Sequence, residues 1–337
     1  MTTSSLVNDL LAGNRRALAR TITLIETGGD QARATLMALY GRTGQAHIVG
    51  VTGSPGSGKS TLVNALAKAF RARGDTVGII AVDPTSPFTG GALLGDRVRM
   101  RDLSGDPGIF IRSMATRGSL GGLAQATAAT IMALDAAGFS RILVETVGVG
   151  QAEVDIASTA HTTIVVEAPG LGDEVQAIKA GVLEIADILA VNKADRDGAD
   201  KTVTALHMVL GSGPAAPRAV LHHGQWLESS EPAAAQHSEG WTPPILKTVA
   251  LRDTGVAELT DAITQHRAYL KESGEWQRRE EERARAALIH ILQAVVLQRV
   301  QARVPVAQLH QLVSAIAARQ IDPYSAADHL LPAVLDA

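Results

Sequence analysis

Apolar residues follow two rhythms along this chain. Between about residues 45 and 250 they come in short unbroken runs: 48–52, 77–82, 109–111, 142–145, 163–167, 188–192 and 245–250. Gly, Pro or polar residues close each run, and a segment of helical length follows. Strands that alternate with helices build βαβ units, which predicts an α/β fold: a mostly parallel sheet with helices on both faces. Ligands of such sheets sit beyond the carboxyl ends of the strands. At either end the spacing turns helical. Leu6, Leu10 and Leu11 share one face, and Ala17, Thr21, Leu24 and Ile25 continue the period. Gly28 and Gly29 interrupt it, and Asp30 is placed to N-cap a further helix ending near Tyr40. From about Ala257 the chain is helical again. A charged run, 275–285, leads into Leu288, Ile289, Ile291, Leu292, Val295, Val296, Leu297 and Val300. That stripe is wider than a solvated helix needs, and either packing on its own domain or a subunit interface accounts for it. Residues 211–243, rich in Gly, Pro, Ala, Ser and His, have no period and read as a loop or insertion. The expected division is a helical N-terminal extension (1–44), an α/β domain (45–264) and a helical C-terminal region (265–337).

Composition narrows the classes. The 337 residues suffice for one large α/β domain with helical additions. The formal charge of −3 provides no bulk attraction for a phosphate backbone, and 3% aromatics build no base-stacking platform, so nucleic acid is not an expected partner. The absence of cysteine excludes disulfides, thiolate metal sites and Cys nucleophiles. No apolar run reaches the roughly 20 residues of a membrane span. Asp9, Arg15 and Arg16 make the first twenty residues unlike a secretory signal. A cytoplasmic location without membrane contact is the expectation.

The chemistry lies in two loops. Gly53, Ser54, Pro55, Gly56, Ser57, Gly58, Lys59 and Ser60 fit G-x-x-x-x-G-K-[ST] between a predicted strand and a helix opening at Thr61. Glycines let successive N–H groups turn toward phosphates, and the helix N-terminus favours anions. Lys59 should reach the β/γ-phosphates and the Ser60 hydroxyl should ligate Mg²⁺. Three carboxylates, Asp83, Asp96 and Glu145, fall at or beyond strand ends and can complete a hard-oxygen metal shell. Later, Asn192, Lys193, Ala194 and Asp195 form N-K-x-D at the end of a strand. A carboxylate at Asp195 accepts from guanine N1–H and N2–H₂ together, a pair that adenine lacks. Lys193 would lie along the base and Asn192 would tie this loop to the phosphate loop. Val249, Ala250 and Leu251 stand where backbone N–H groups can meet the guanine O6. Together these residues predict a GTP-hydrolysing P-loop protein, with GTP and GDP as the expected substrate and product.

With the surrounding segments, these motifs resemble the methylmalonyl-CoA mutase-associated GTPase chaperones (MeaB-, ArgK- and MMAA-like). Asp83-Pro84-Thr85-Ser86-Pro87 and Gly90 through Met100 resemble that family's Mg²⁺-binding and first switch segments, and Glu145 through Gln151 resembles its second switch. Pro169 through Lys179 resembles a further switch particular to the family, and Arg117–Gly122 and Ile321–Tyr324 also fit. The similarity covers roughly residues 5–335. It implies a homodimer joined partly through C-terminal helices. It also implies GTP hydrolysis that gates adenosylcobalamin loading onto a B12-dependent acyl-CoA mutase. Relatives have also been described as an amino-acid transport ATPase kinase, but Asp195 argues against ATP. Two departures stand out: Val249 replaces the family's usual Ser, and 221–241 follows no familiar pattern, which leaves methylmalonyl-CoA mutase or a sister mutase as partner. No obvious catalytic base is present. Gln151 and Glu153 can position water, while Gln176 and Lys179, three apart on one helical face, are candidates for a cis-acting charge at the γ-phosphate. The rival readings are weaker. A nickel-inserting GTPase would want Cys or a His tract, yet only His222 and His223 adjoin. A secretion-targeting GTPase would want a Met-rich domain, and six Met are scattered here. A slow nucleotide-switch scaffold is disfavoured by the intact Lys59, Ser60 and Glu145.

Overall fold

A computed structural model describes residues 3–83, 101–103, 105–115, 122–146, 156, 158–170, 183–212 and 240–330. Asp96, Gln151, Glu153, Gln176 and Lys179, with most of the switch-like segments and the 213–239 stretch, lie outside the described residues.

Three helices, α1 (Thr3–Leu11), α2 (Arg15–Thr27) and α3 (Asp30–Leu39), precede the sheet. Asn14 caps α2 by accepting from the Arg16 and Ala17 N–H groups at 2.9 and 3.2 Å. Asp30 does not serve as the expected N-cap. It is the first residue of α3, and Gly29 stands in the cap position without a side-chain bond. There the carboxylate still favours the positive end of the helix dipole.

The strands are β1 (His47–Gly53), β2 (Val77–Asp83), β3 (Ile109–Ala115), β4 (Arg141–Thr146), β5 (Thr162–Glu167), β6 (Ile188–Val191) and β7 (Ile245–Lys247). They form one sheet in the order β3-β2-β4-β1-β5-β6-β7, with every pairing parallel. β3 runs four residues past its apolar run because it is an edge strand. Arg112 lies there on the face covered by the N-terminal helices and pairs with Glu26 of α2. β7 stops earlier than the run 245–250 because the chain turns at Thr248 and Val249 bridges back to Thr254.

Between the strands lie α4 (Lys59–Ala72), α5 (Gly122–Ala136) and α6 (Ala199–Ser212), and after β7 comes α7 (Val256–Glu272). One sheet face packs Ile48, Ile80, Val82, Ile142 and Val144 against α5 and the three N-terminal helices. The other packs Val49, Val51, Ile79, Leu143 and Ile164 against Leu62, Leu66 and Phe70 of α4 and Leu259 and Ile263 of α7. Both faces are covered, which is why the strands read as continuous apolar runs rather than alternating ones. The N-terminal helices thus share the core of the sheet.

Helix α8 (Glu275–Arg303) is followed by α9 (Val306–Ala317) and α10 (Pro323–Leu330). Residues 1–282 form one compact unit and 283–337 a second. The opening turn of α8 is bound firmly within the first. Arg279 gives Asp187 two hydrogen bonds of 2.9 Å, Trp276 stacks on His161 at 3.9 Å between centroids, and Glu280 pairs with the same histidine. Three buried histidines meet at this amino edge of the sheet. The Thr162 hydroxyl lies 2.8 Å from His47 Nε2 and 2.9 Å from His266 Nδ1. In the second unit Leu288, Ile291, Leu292 and Val296 of α8, and Val306, Leu309 and Val313 of α9, remain exposed.

Candidate nucleotide site

β1 lies at the middle of the sheet, with β2, β3 and β4 to one side and β5, β6 and β7 to the other. The chain therefore leaves β1 in opposite directions around its carboxyl end, the position where an open parallel sheet offers a crevice. The phosphate loop fills that position. Gly53 leaves β1 at φ 131°, and Gly56 and Gly58 adopt φ 79° and 92°. A Cβ on Gly53 would sit 2.1 Å from the Val166 carbonyl of the adjoining strand, so only glycine fits.

Lys59 opens α4 and is buried. Its ammonium donates to the Gly53 and Ser54 carbonyls at 2.8 and 3.0 Å, which curls the side chain over its own loop. Ser60 follows it, and its hydroxyl donates to the Glu145 carboxylate at 2.6 Å, both groups being buried. Glu145 is held by β4, which pairs with both β1 and β2. Asp83 ends β2, one residue beyond the Val82–Thr146 pair. A serine hydroxyl and a carboxylate in contact are the hard oxygen donors a magnesium ion takes, so this set fits the metal that the motif implies. Asp96, the other proposed ligand, falls outside the described residues.

Asn192 lies one residue past β6 and is buried. Its amide Nδ2 donates to the Ser57 carbonyl at 2.9 Å. Its Oδ1 accepts from the Ala250 N–H at 3.1 Å and the Thr248 hydroxyl at 3.2 Å. One side chain thus joins the phosphate loop, the N-K-x-D loop and the turn after β7. Lys193 adopts φ 57°, and its ammonium donates to the Gly56 carbonyl at 2.6 Å, so it lies along the phosphate loop. Asp195 faces the turn after β7, where its Oδ2 accepts from Arg252 Nη2 at 2.7 Å. The N–H groups of Val249 and Ala250 already donate, to the Thr254 carbonyl and to Asn192. Leu251, the third residue expected at the base, is 87% exposed.

Two further contacts escaped the sequence reading. Glu167 ends β5 and accepts from the Ser54 hydroxyl at 3.0 and 3.1 Å, which steadies the phosphate loop from its second neighbouring strand. The rule that pointed to Glu145, an acid at a carboxyl strand end, applies equally to it. Arg252 had no such signal, because only the folded turn brings it to Asp195.

A parallel sheet bearing a phosphate loop after its central strand, tied through Asn192 to an N-K-x-D loop, defines a P-loop GTPase. The chain belongs to the methylmalonyl-CoA mutase-associated GTPase MeaB family, whose model matches residues 18–304. A Pyrococcus abyssi protein named a GTPase is 47% identical over 98% of this chain and 96% of its own. The mitochondrial methylmalonic aciduria type A homolog of Caenorhabditis briggsae is 31% identical over 83% of this chain and 68% of its own. Among solved structures, that of a LAO/AO transport system kinase is similar with a TM-score of 0.68 and 26% identity, over 98% of this chain and 96% of that one. Among the described residues no helix is long and apolar enough to cross a membrane.

Proposed function

We propose that this GTPase is the nucleotide-driven chaperone of a B12-dependent acyl-CoA mutase, methylmalonyl-CoA mutase or a sister enzyme, and that it gates adenosylcobalamin loading in the cytoplasm. The observation that carries the reading is the family match across 18–304, a family described by its association with methylmalonyl-CoA mutase. The methylmalonic aciduria homolog among the relatives supports it.

In this reading GTP enters with its phosphates over Gly53–Ser60. Lys59 exchanges the carbonyls it now holds for β/γ-phosphate oxygens, and the α4 N-terminus adds its dipole. Ser60, Glu145, Asp83 and Asp96 would hold Mg²⁺, which would supply positive charge at the β- and γ-phosphates. Asp195 reads the guanine edge, Lys193 lines it, and Asn192 keeps the base and phosphate loops at a fixed separation. Gln176 and Lys179 form the response element through which the mutase reaches the γ-phosphate. The exposed apolar stripe from Leu288 to Val296 supports a homodimer joined through the C-terminal helices.

The test is steady-state GTP hydrolysis with a purified cobalamin-dependent mutase from the same organism titrated in, beside a pull-down in GDP and in a non-hydrolysable GTP analogue. Stimulated turnover and nucleotide-dependent capture are expected. Absence of binding in both states with every such mutase of the genome would leave a GTPase of another partner.

A further inference from the structure

One carboxylate oxygen of Asp195, the group proposed to read guanine, already has a partner. Its Oδ2 accepts from Arg252 Nη2 at 2.7 Å. Guanine offers a carboxylate two parallel N–H donors on one rigid plane, at N1 and N2. A guanidinium offers the same pattern, a planar fork of donors carrying full positive charge. Arg252 places one N–H donor of that fork on one carboxylate oxygen, Oδ2.

The turn that presents Arg252 is stiff. Its backbone is closed by the Val249–Thr254 bridge, with Val249 N–H donating to the Thr254 carbonyl at 2.9 Å. Asp253 and Gly255 both take positive φ, 55° and 74°, and a Cβ on Gly255 would meet the Lys247 carbonyl at 2.1 Å. Asn192 anchors the other end of the turn through the Ala250 N–H. The guanidinium itself is loose, with the Arg252 side chain 68% exposed and Asp195 34% exposed. Guanine entry thus needs only a side-chain swing of Arg252 into water, with the loop left in place. The cost is set by an exposed ion pair, which is small and screened by salt.

We propose that Arg252 is a built-in competitor for the guanine site: it occupies Asp195 in the nucleotide-free protein, lowers affinity for GTP and GDP, and slows their capture. This deepens the guanine reading of Asp195 and rests on it.

The experiment measures equilibrium affinity and dissociation rate of a fluorescent GDP in the full chain. Arg252→Ala is expected to tighten GDP by about two- to fivefold, the range an exposed pair supports, mostly through faster association with the dissociation rate little changed. Arg252→Lys, which keeps a charge but loses the fork, is expected to fall between. Raising salt should narrow the gap between wild type and Arg252→Ala, because screening weakens the competitor in wild type while its effect on phosphate binding is common to both. A structural role for Arg252 would weaken binding in Arg252→Ala, so tightening separates the two. Unchanged or weaker GDP binding in both variants, with unaltered thermal melting, overturns the gate. The base reading is checked apart: Asp195→Ala should abolish the preference for GDP over ADP, and Arg252→Ala should then have no further effect. If Asp195→Ala keeps the preference, the guanine reading itself fails.

Discussion

Asn192 sets the distance between two loops that the chain reaches 135 residues apart, so its removal should register in both stability and affinity. Replacing it with alanine leaves the Ser57 carbonyl and the Ala250 N–H without their recorded side-chain partner, in a region where Ser57, Ala250 and Thr248 are all buried. Each orphaned group costs about 1–3 kcal/mol. The vacated space is polar and near the surface crevice, so entering water offsets part of the loss. The net expectation is about 2–4 kcal/mol off a total stability on the order of 5–15 kcal/mol. Asn192→Asp isolates the donor. Its carboxylate still accepts from Ala250 N–H and the Thr248 hydroxyl, but its second oxygen faces the Ser57 carbonyl, so it should be no more stable than alanine. Urea unfolding measures the stability change, and titration calorimetry should show GTP affinity down at least about tenfold, or 1.4 kcal/mol. A stability loss below about 0.5 kcal/mol in Asn192→Ala, the size of an ordinary surface substitution, would refute the bridging role.

Two further outcomes follow from the same geometry. Lys59→Ala and Glu145→Ala should each slow single-turnover GTP hydrolysis at least about tenfold, since one removes charge at the phosphates and the other a metal oxygen; unchanged rates in both reject these roles. Burial, with the nearby His161 and Arg141, holds the His47 pKa well below its usual value, so the ring is neutral in the folded state. The unfolded chain binds a proton there near pH 6.5, so this stability is present above that pH. It falls as pH drops toward the folded pKa, with a slope of up to about 1.4 kcal/mol per pH unit. Asp102 and Asp106, held low by hydrogen bonds from Lys68 and from Arg71, lose their contribution only in stronger acid. Urea unfolding between pH 7.5 and 5.5 should therefore show His47→Asn with a lower plateau and a shallower slope, and an unchanged slope would count against the buried neutral ring.

Most of the sheet was legible because strands covered on both faces carry apolar side chains at nearly every position, as 48–52 and 188–191 do. β3 read short because an edge strand admits Arg112 and Ser113, which break the run without ending the strand. The order of strands was not legible: nothing local in 162–167 says that β5 adjoins β1 rather than β4. The phosphate and N-K-x-D loops were visible as spacing, since their chemistry depends on consecutive residues. Glu167 carried the same signal as Glu145, an acid at a carboxyl strand end, while Arg252 carried none, since only the folded turn brings it to Asp195.

β5 carries a mechanical consequence. Its foot is gripped on all sides: the Thr162 hydroxyl lies between two histidines, and the Thr163 N–H donates to Asp187, which also holds Arg279 of α8. Its head presses Val166 against Gly53 and offers Glu167 to Ser54. Six residues at about 3.3 Å each make a rod of roughly 20 Å. Hydrogen-bonded along both edges, that one strand ties the phosphate loop at its head to the root of α8 at its foot.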